Sequence, residues 1–223
     1  MQVSEAVLSR ISCRSFRSDP VPGEVLRDIL KSARHAPSGG NLQPWHVYAV
    51  AGETLRTLEA DVLAGFADHP HGEGSEYRIY PQHLKEPYRS RRFKCGEDLY
   101  ALLNIERADK ARRRVQFREN FRFFGAPLGL FIYIDRQMQP GQWADVGMFV
   151  QTVMLLAREH GLHTCPQEAW AMFHTTVAGH LHPPPELMLF CGIAMGYMET
   201  DHPLNALRTE RAPLEEFCTF IDT

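Results

Sequence analysis

The sequence lacks the features that define several common classes of protein. Its 223 residues contain no apolar run long enough to span a bilayer, and the first residues, MQVSEAVLSRIS, lack the apolar core of a secretory signal. No GxGxxG follows a predicted strand, and no GxxxxGK[ST] or G-x-S-x-G motif occurs. We therefore expect neither a Rossmann or P-loop site nor a hydrolase with a serine nucleophile.

Cysteine and histidine are present without the spacing of a disulfide framework or a metal site. The five cysteines are scattered, odd in number and form no CxxC pair, which favours reduced thiols in a cytoplasmic protein. The histidines at 69, 71, 83, 180 and 182 have no companion ligands, and His163 with Cys165 gives only two. We expect no metal ligands and no membrane partner.

The charge balance argues against nucleic acid as a partner. The formal net charge is -3, whereas nucleic-acid-binding domains usually have a clear excess of Lys and Arg. One basic segment, 107–118, is typical of a solvated helix face, with a patch for an anionic cosubstrate as the alternative. With 44% apolar residues, the chain can bury a sizeable core, and we expect a single domain over residues 1–223.

Hydrophobic periodicity predicts an α+β sandwich, with helices packed on a mixed or antiparallel sheet. The predicted helices run from Pro22 to a stop at Pro37, from Thr54 to Leu63 and from Trp143 to His160. Apolar and β-branched runs predict strands at 45–50, 128–134 and 187–194. Between the second helix and the second strand, residues 65–96 are polar and irregular, which predicts a lid or a subunit-wrapping insertion.

Two arginine-containing segments near the chain ends have the chemistry to bind one phosphate. Arg14, Ser15 and Arg17 lie within four residues of each other, and Arg208 and Arg211 lie in the segment LRTERAP. Guanidinium groups form bidentate, charge-assisted hydrogen bonds to phosphate. A solvated turn and a solvated tail are the alternatives, and the residues alone do not decide between them.

The segment APSGGNLQPW, residues 36–45, reads as a polar loop before a strand. Its two glycines allow a close approach of backbone to a ligand, and its Ser, Asn and Gln side chains suit a heterocycle or a polyol. The alternative is a loop whose polar side chains only cap neighbouring backbone.

The segment CPQEAW, residues 165–170, is predicted to lie where the chain turns into a helix. Free backbone N–H groups at a helix start can donate to an electron-rich ligand atom. An ordinary helix N-terminus, with Glu168 favouring the local dipole, is the alternative.

The order and spacing of these segments resemble those of the nitroreductase family of FMN enzymes, from about Ser12 to Phe217. The loop PSGGNLQPW is the most specific piece, and RSFR and LRTERAPLEEF fit the same family. The resemblance implies a three-layer α+β sandwich and a domain-swapped homodimer, with FMN in clefts at the subunit interface.

The resemblance also implies which residues bind the cofactor. Arg14, Ser15 and Arg17 match positions that hold the phosphate and ribityl end, and Arg208 and Arg211 match basic positions near the phosphate. The loop residues that match positions facing the flavin and ribityl chain, partly from the partner subunit, are Pro37, Ser38, Asn41 and Gln43. The residues whose backbone faces flavin N5 are Pro166, Gln167, Glu168 and Ala169.

Three positions depart from the family pattern. The family often has Arg at the position of Cys13, so one phosphate contact is either missing or supplied from elsewhere. The chain between Arg17 and Pro22 is a few residues short, which leaves the register of this segment open. Ala169 stands where some members have Gly.

The activity implied is FMN-dependent transfer of hydride from NADH or NADPH to nitroaromatics or quinones by a ping-pong mechanism. No side chain is expected to be catalytic, because the flavin carries the chemistry and the protein positions it. Reductive dehalogenation or flavin fragmentation on the same fold is one alternative, in which the 65–96 insertion closes over substrate. A non-catalytic flavin-binding or sensing protein is the other.

Overall fold

The centre of the molecule is one antiparallel sheet. The computed structural model describes residues 1–221, so the last two residues of the predicted 1–223 domain lie outside the described residues. Within the described range, four strands pair in the order β1-β2-β4-β3. They are β1 Trp45–Ala51, β2 Leu128–Asp135, β3 His163–Gln167 and β4 Leu187–Gly196.

Helices precede, connect and follow these strands. They are α1 Val3–Ser9, α2 Gly23–Ala33, α3 Gly52–Gly65, α4 Tyr88–Ala101, α5 Lys110–Arg118, α6 Pro140–Glu159, α7 His174–Leu181 and α8 Leu214–Phe217. Short 3₁₀ turns cover Gly39–Asn41, Glu119–Gly125, Glu168–Met172 and Pro203–Ala206. Between residues 1 and 221, no helix has both the length and the apolar character that crossing a membrane requires.

The sheet separates two apolar cores, because successive side chains of a strand point to opposite faces. On β2, Phe131 and Tyr133 contribute to the core beneath α3 and α7. Leu130 and Ile132 contribute to the core beneath α2 and α6. The predicted α+β sandwich with helices on both faces of the sheet is therefore confirmed, and the sheet is antiparallel rather than mixed.

The long apolar runs predicted their elements well. The three predicted strands and three predicted helices are present, with ends displaced by at most a few residues. The ends of helix α6 can be predicted from the sequence, because Pro140 occupies the first turn and Gly161 follows the helix with a φ of 73°. At its start, the Gln139 backbone N–H donates to Gln142 Oε1 at 3.2 Å.

Two sequence predictions were wrong in detail. Residues 165–167 end a strand, β3, rather than opening a helix, and only a 3₁₀ turn follows. Pro166 is tolerated because β3 is an edge strand of the sheet. The irregular segment predicted to reach Gly96 ends earlier, since α4 begins at Tyr88. None of the residues of α4 is buried, so the helix has no apolar stripe from which to predict it.

Glu59 on α3 makes the stability of the fold depend on pH. Its Oε1 is buried without a hydrogen-bond partner, and burial raises the pKa of this carboxyl to about 7. The folded-state pKa therefore exceeds the unfolded value, so the stabilisation is complete at low pH and is lost as pH rises towards 7.

We expect Glu59→Gln to stabilise the protein at pH 8 by about 1 kcal/mol, a value discounted for partial solvent exposure, and to have little effect at pH 5. Urea unfolding at the two pH values measures the difference. Glu53→Gln, at an exposed position on the same helix, is the control. An equal effect of Glu59→Gln at both pH values would contradict this interpretation.

Candidate active site

A cavity of about 640 Å³ opens beside the end of β3. Its lining includes Arg14 and the predicted residues 166–169. The lining also includes residues beyond α3 in the chain: Ile79, Tyr80, Arg92 and Phe117. The structure thus brings two sequence-predicted segments together and adds a wall that the sequence did not identify.

A β-bulge on β4 shapes one side of this cavity. Ile132 of β2 pairs with Cys191 and Tyr133 pairs with Leu189, which leaves Phe190 as the extra residue. Phe190 lines the cavity, as bulged residues beside functional sites often do. Its carbonyl accepts a hydrogen bond from the Tyr77 hydroxyl at 2.5 Å. The bulge therefore links the sheet to the 65–96 segment.

The 65–96 segment is held on the body of the protein before it reaches the cavity. The Glu73 carboxylate accepts hydrogen bonds from the backbone N–H groups of Thr175 and Thr176, at 3.0 and 3.1 Å, at the start of α7. A carboxylate at a helix N-terminus is favoured by the helix dipole. With Tyr77 fixed on Phe190, these contacts present Ile79 and Tyr80 to the cavity.

The N-terminal segment runs along the outer edge of β3. The Cys13 backbone N–H donates to the Thr164 carbonyl at 3.0 Å. Buried Asn205 ties this segment to the C-terminal part of the chain: its Oδ1 accepts from the Arg14 N–H at 2.8 Å, and its Nδ2 donates to the Ser15 carbonyl at 2.9 Å. The two chain ends that contain the predicted arginines therefore meet beside β3.

Four arginines gather at this meeting point without acidic partners. Among residues 1–221, none of Arg10, Arg14, Arg208 and Arg211 forms an ion pair with a carboxylate. Burial lowers the pKa of Arg10, and the nearby charge of Arg211 lowers it further. Burial, with the positive charges of Arg158 and Arg208, lowers the pKa of His163 to about 4. Such uncompensated positive charge suits an anionic ligand.

Arg10 is the functional candidate that the sequence analysis missed. It precedes the RSFR segment and is separated from it by Ile11, Ser12 and Cys13. Burial raises the pKa of Cys165 to about 11, and the charges of Arg14 and Arg10 oppose this rise. Both guanidinium groups therefore act on the same point of β3. Cys13 itself is fully buried.

Arg17 and Ser15 are placed less favourably for an anion. Arg17 is exposed, and its Nε donates to Asp19 Oδ2 at 2.8 Å, so its charge already has a partner. The Ser15 carbonyl accepts a hydrogen bond from the Glu199 backbone N–H at 3.1 Å. This hydrogen bond holds the N-terminal segment in place. Neither residue lines the cavity.

The predicted loop 37–43 does not reach the cavity within this chain. Asn41 and Gln43 are exposed, and each adopts a positive φ. Ser38 Oγ accepts a hydrogen bond from the Gln43 backbone N–H at 2.9 Å, and Pro37 is exposed beside it. The Gly39 N–H donates to Asp145 on α6 at 3.1 Å. The loop is thus fixed in shape, with polar side chains presented outward.

Residues 166–169 line the cavity and include polar groups without hydrogen-bond partners among residues 1–221. Gln167 is buried; its Nε2 donates to the Asn120 carbonyl at 2.7 Å, whereas its Oε1 has no partner among residues 1–221. Glu168 and Ala169 begin a 3₁₀ turn, so their backbone N–H groups have no acceptor within the turn. Burial raises the pKa of Glu168.

The fold and the site together define a class: an α+β sandwich with an aromatic-walled cavity next to a cluster of unpaired arginines. Comparison with known proteins identifies the family. Residues 7–197 match the model of the nitroreductase family. The chain belongs to the nitroreductase family.

Several relatives match over nearly their whole length. The chain is 37% identical over 215 residues to a 4-nitrobenzoate reductase of Pseudomonas putida, covering 96% of this chain and 93% of the relative. It is 34% identical over 219 residues to a nitrobenzene nitroreductase of Ectopseudomonas oleovorans, covering 98% and 96%. Among solved structures, the FMN and NADPH-dependent nitroreductase NfnB from Sphingopyxis sp. strain HMH superposes with a TM-score of 0.97, at 44% identity and full coverage of both chains.

Proposed function

We propose that this protein is an FMN-dependent oxidoreductase that transfers hydride from NAD(P)H to nitroaromatics, with quinones as further acceptors, by a ping-pong mechanism. The observation that carries the proposal is the cavity in which residues 166–169 lie beside unpaired arginines. The relatives named above, which reduce nitrobenzene and 4-nitrobenzoate or depend on FMN and NADPH, support the same conclusion.

The residues present fit FMN. A phosphate monoester requires cations, and Arg14, with Arg10, Arg208 and Arg211 nearby, provides guanidinium groups that no carboxylate neutralises. A flavin ring carries both hydrogen-bond donors and acceptors. The backbone N–H groups of Glu168 and Ala169, which have no acceptor within their own turn, can donate to a ring nitrogen.

Bound FMN would supply the redox chemistry, accepting hydride from the nicotinamide and reducing the acceptor. The side chains of this protein bind, orient and exclude water. Arg14 and its neighbours anchor the phosphate, and the backbone at Glu168 and Ala169 stabilises electron density at the flavin ring. Phe190, Phe117 and Tyr80 give the cavity flat apolar surfaces suited to planar, electron-poor acceptors.

We further propose that the protein acts as a homodimer. Within one chain, the polar loop formed by Pro37, Ser38, Asn41 and Gln43 faces outward and does not line the cavity. A partner subunit that brings this loop to the flavin would use its side chains for the ribityl chain, as the family resemblance implies. Light scattering of the FMN-bound protein should give twice the mass of one chain, and a monomer that binds FMN fully would contradict the proposal.

The proposed domain and compartment follow the same reasoning. We propose that residues 1–223 form one FMN-binding domain in which the segment 65–96 forms a wall over the substrate. That role is supported by its anchors at Glu73 and Tyr77. The cysteines of the described chain are free, which supports a reducing compartment such as the cytoplasm.

Product analysis tests the reaction class. FMN-loaded protein with NADPH should convert nitrobenzene to reduced nitrogen products and leave an iodinated phenol intact. Dehalogenation without nitroreduction would instead identify a reductive dehalogenase. Absence of both reactions in a protein that holds FMN would indicate a flavin-binding protein without turnover.

A further inference from the structure

The guanidinium of Arg92 lies on the cavity wall without a charged partner. Arg92 belongs to α4, and its Cζ lies 3.8 Å from the centroid of the Tyr80 ring. Arg92 forms no hydrogen bond through its side chain and no ion pair with any residue between 1 and 221. Its neighbours differ: Arg89 pairs with Glu86, and Arg91 pairs with Glu216. Arg92 and Tyr80 both line the cavity.

The N–H groups of Arg92, whose Cζ lies over the Tyr80 ring, form no hydrogen bond among residues 1–221. A guanidinium over a ring is held by cation–π attraction through its face, whereas its N–H groups point outward in its own plane. Those N–H groups can form a bidentate pair with a carboxylate. The Tyr80 ring therefore restrains a cation whose hydrogen-bonding groups remain unused within the described chain.

The other charges of the cavity lining leave this cation uncompensated. The lining contains two guanidinium groups, those of Arg14 and Arg92, and one carboxyl group, that of Glu168. Burial raises the pKa of Glu168, and this carboxyl forms no ion pair with Arg92 among residues 1–221. In the proposed function, Arg14 binds the cofactor phosphate. The positive charge of Arg92 therefore remains available to a second ligand in the cavity.

We propose that Arg92 binds a carboxylate on the acceptor, so that the site prefers planar nitroaromatic acids to neutral nitroaromatics. This proposal rests on the proposed function, because it concerns the acceptor of that reaction. The Tyr80 ring and Phe117 contact the aromatic plane, and Arg92 pairs with the acid group. An anionic phosphate of the nicotinamide presents the same chemistry to a cation, and the experiment separates the two sources.

The test compares Arg92→Gln with the wild-type protein on 4-nitrobenzoate and its methyl ester, which differ in charge but not in the reacting group. We expect the variant to raise KM for 4-nitrobenzoate about 10-fold or more, the effect of losing one charge-assisted hydrogen bond. KM for the ester should stay within about twofold, because only Arg92's charge is lost. Arg89→Gln, on the same helix but outside the cavity lining, should change neither value.

Two results would overturn the proposal. Equal increases in KM for the acid and the ester would show that Arg92 contributes packing rather than charge recognition. An increase in KM for NADPH, with that for 4-nitrobenzoate unchanged, would assign Arg92 to the nicotinamide phosphate.

Equilibrium binding provides a readout without turnover. In the absence of a nicotinamide, 4-nitrobenzoate should bind FMN-loaded Arg92→Gln at least about 10-fold more weakly than wild type, measured by equilibrium dialysis. If the wild-type protein reduces neither acceptor, the proposed function fails, and the dialysis still decides the role of Arg92. Equal dissociation constants for the wild-type protein and the variant would refute that role.

Discussion

Replacing Arg10 and Arg14 together by glutamine should weaken FMN binding by about 100-fold or more. Each guanidinium is expected to contribute a charge-assisted hydrogen bond to the phosphate, and each such bond is worth about a factor of 10 or more. Fluorescence titration of the FMN-free protein with FMN measures the dissociation constant. An unchanged dissociation constant would show that Arg10 and Arg14 do not bind the FMN phosphate.

The same substitutions should not destabilise the FMN-free protein. Burial and then the nearby charge of Arg211 lower the pKa of Arg10, which indicates that these two guanidinium groups repel each other when no anion is bound. Loss of two positive charges relieves this repulsion, so the melting temperature of the FMN-free protein should stay the same or rise. Arg34→Gln, at the exposed residue that follows α2, is the control for general charge effects.

Arg17→Gln decides which part of the N-terminal segment binds the phosphate. The sequence placed Arg17 with Arg14 at the phosphate, whereas the structure pairs Arg17 with Asp19 on the surface. We expect the Arg17 variant to change FMN affinity by less than about threefold, since an exposed ion pair contributes little. A loss as large as that of the Arg10 and Arg14 double variant would favour the register predicted from the sequence.

Gly192→Ala should destabilise the protein by about 2–4 kcal/mol, or roughly 5–15 °C in melting temperature. A Cβ at this position of β4 would lie 2.4 Å from Trp170 Cδ1 and 3.0 Å from Phe123 Cε1. The two rings stack on each other with centroids 4.5 Å apart and are fully buried, so neither can move without disturbing the core. Trp170 directly follows the segment 166–169, and we therefore expect FMN affinity to fall as well.

The control for this substitution is Gly179→Ala on α7. A Cβ at Gly179 would meet no atom within 4 Å, and alanine is the better helix former. Its melting temperature should equal or slightly exceed that of the wild-type protein in the same thermal scan. If Gly192→Ala has the same melting temperature as Gly179→Ala, the packing of Trp170 against β4 does not limit stability.

The sequence predicted those elements whose apolar pattern is local. Strand β2 is an uninterrupted apolar run between Pro127 and Asp135, and the strand is found there. Strand β3 has only five residues, includes Pro166 and shows no alternation. It forms because β4 supplies its hydrogen bonds, and no local pattern predicts that pairing.

The candidate site was predictable in its parts but not in its assembly. Arg14 and residues 166–169 were identified from the sequence, and the structure places them around one cavity. Arg10 was missed because its position beside β3 depends on the pairing of the N-terminal segment with Thr164. The wall formed by Tyr80 and Arg92 was also missed, since neither belongs to a recognisable motif and both reach the cavity through tertiary contacts.

The central claim is that the protein binds FMN and that NAD(P)H reduces it. An absorbance spectrum of the purified protein, recorded before and after anaerobic addition of NADH and then of NADPH, tests it most directly. We expect flavin bands that bleach when a nicotinamide is added and return when 4-nitrobenzoate follows. A colourless protein that takes up no added FMN would contradict the account, as would bound flavin that neither nicotinamide reduces.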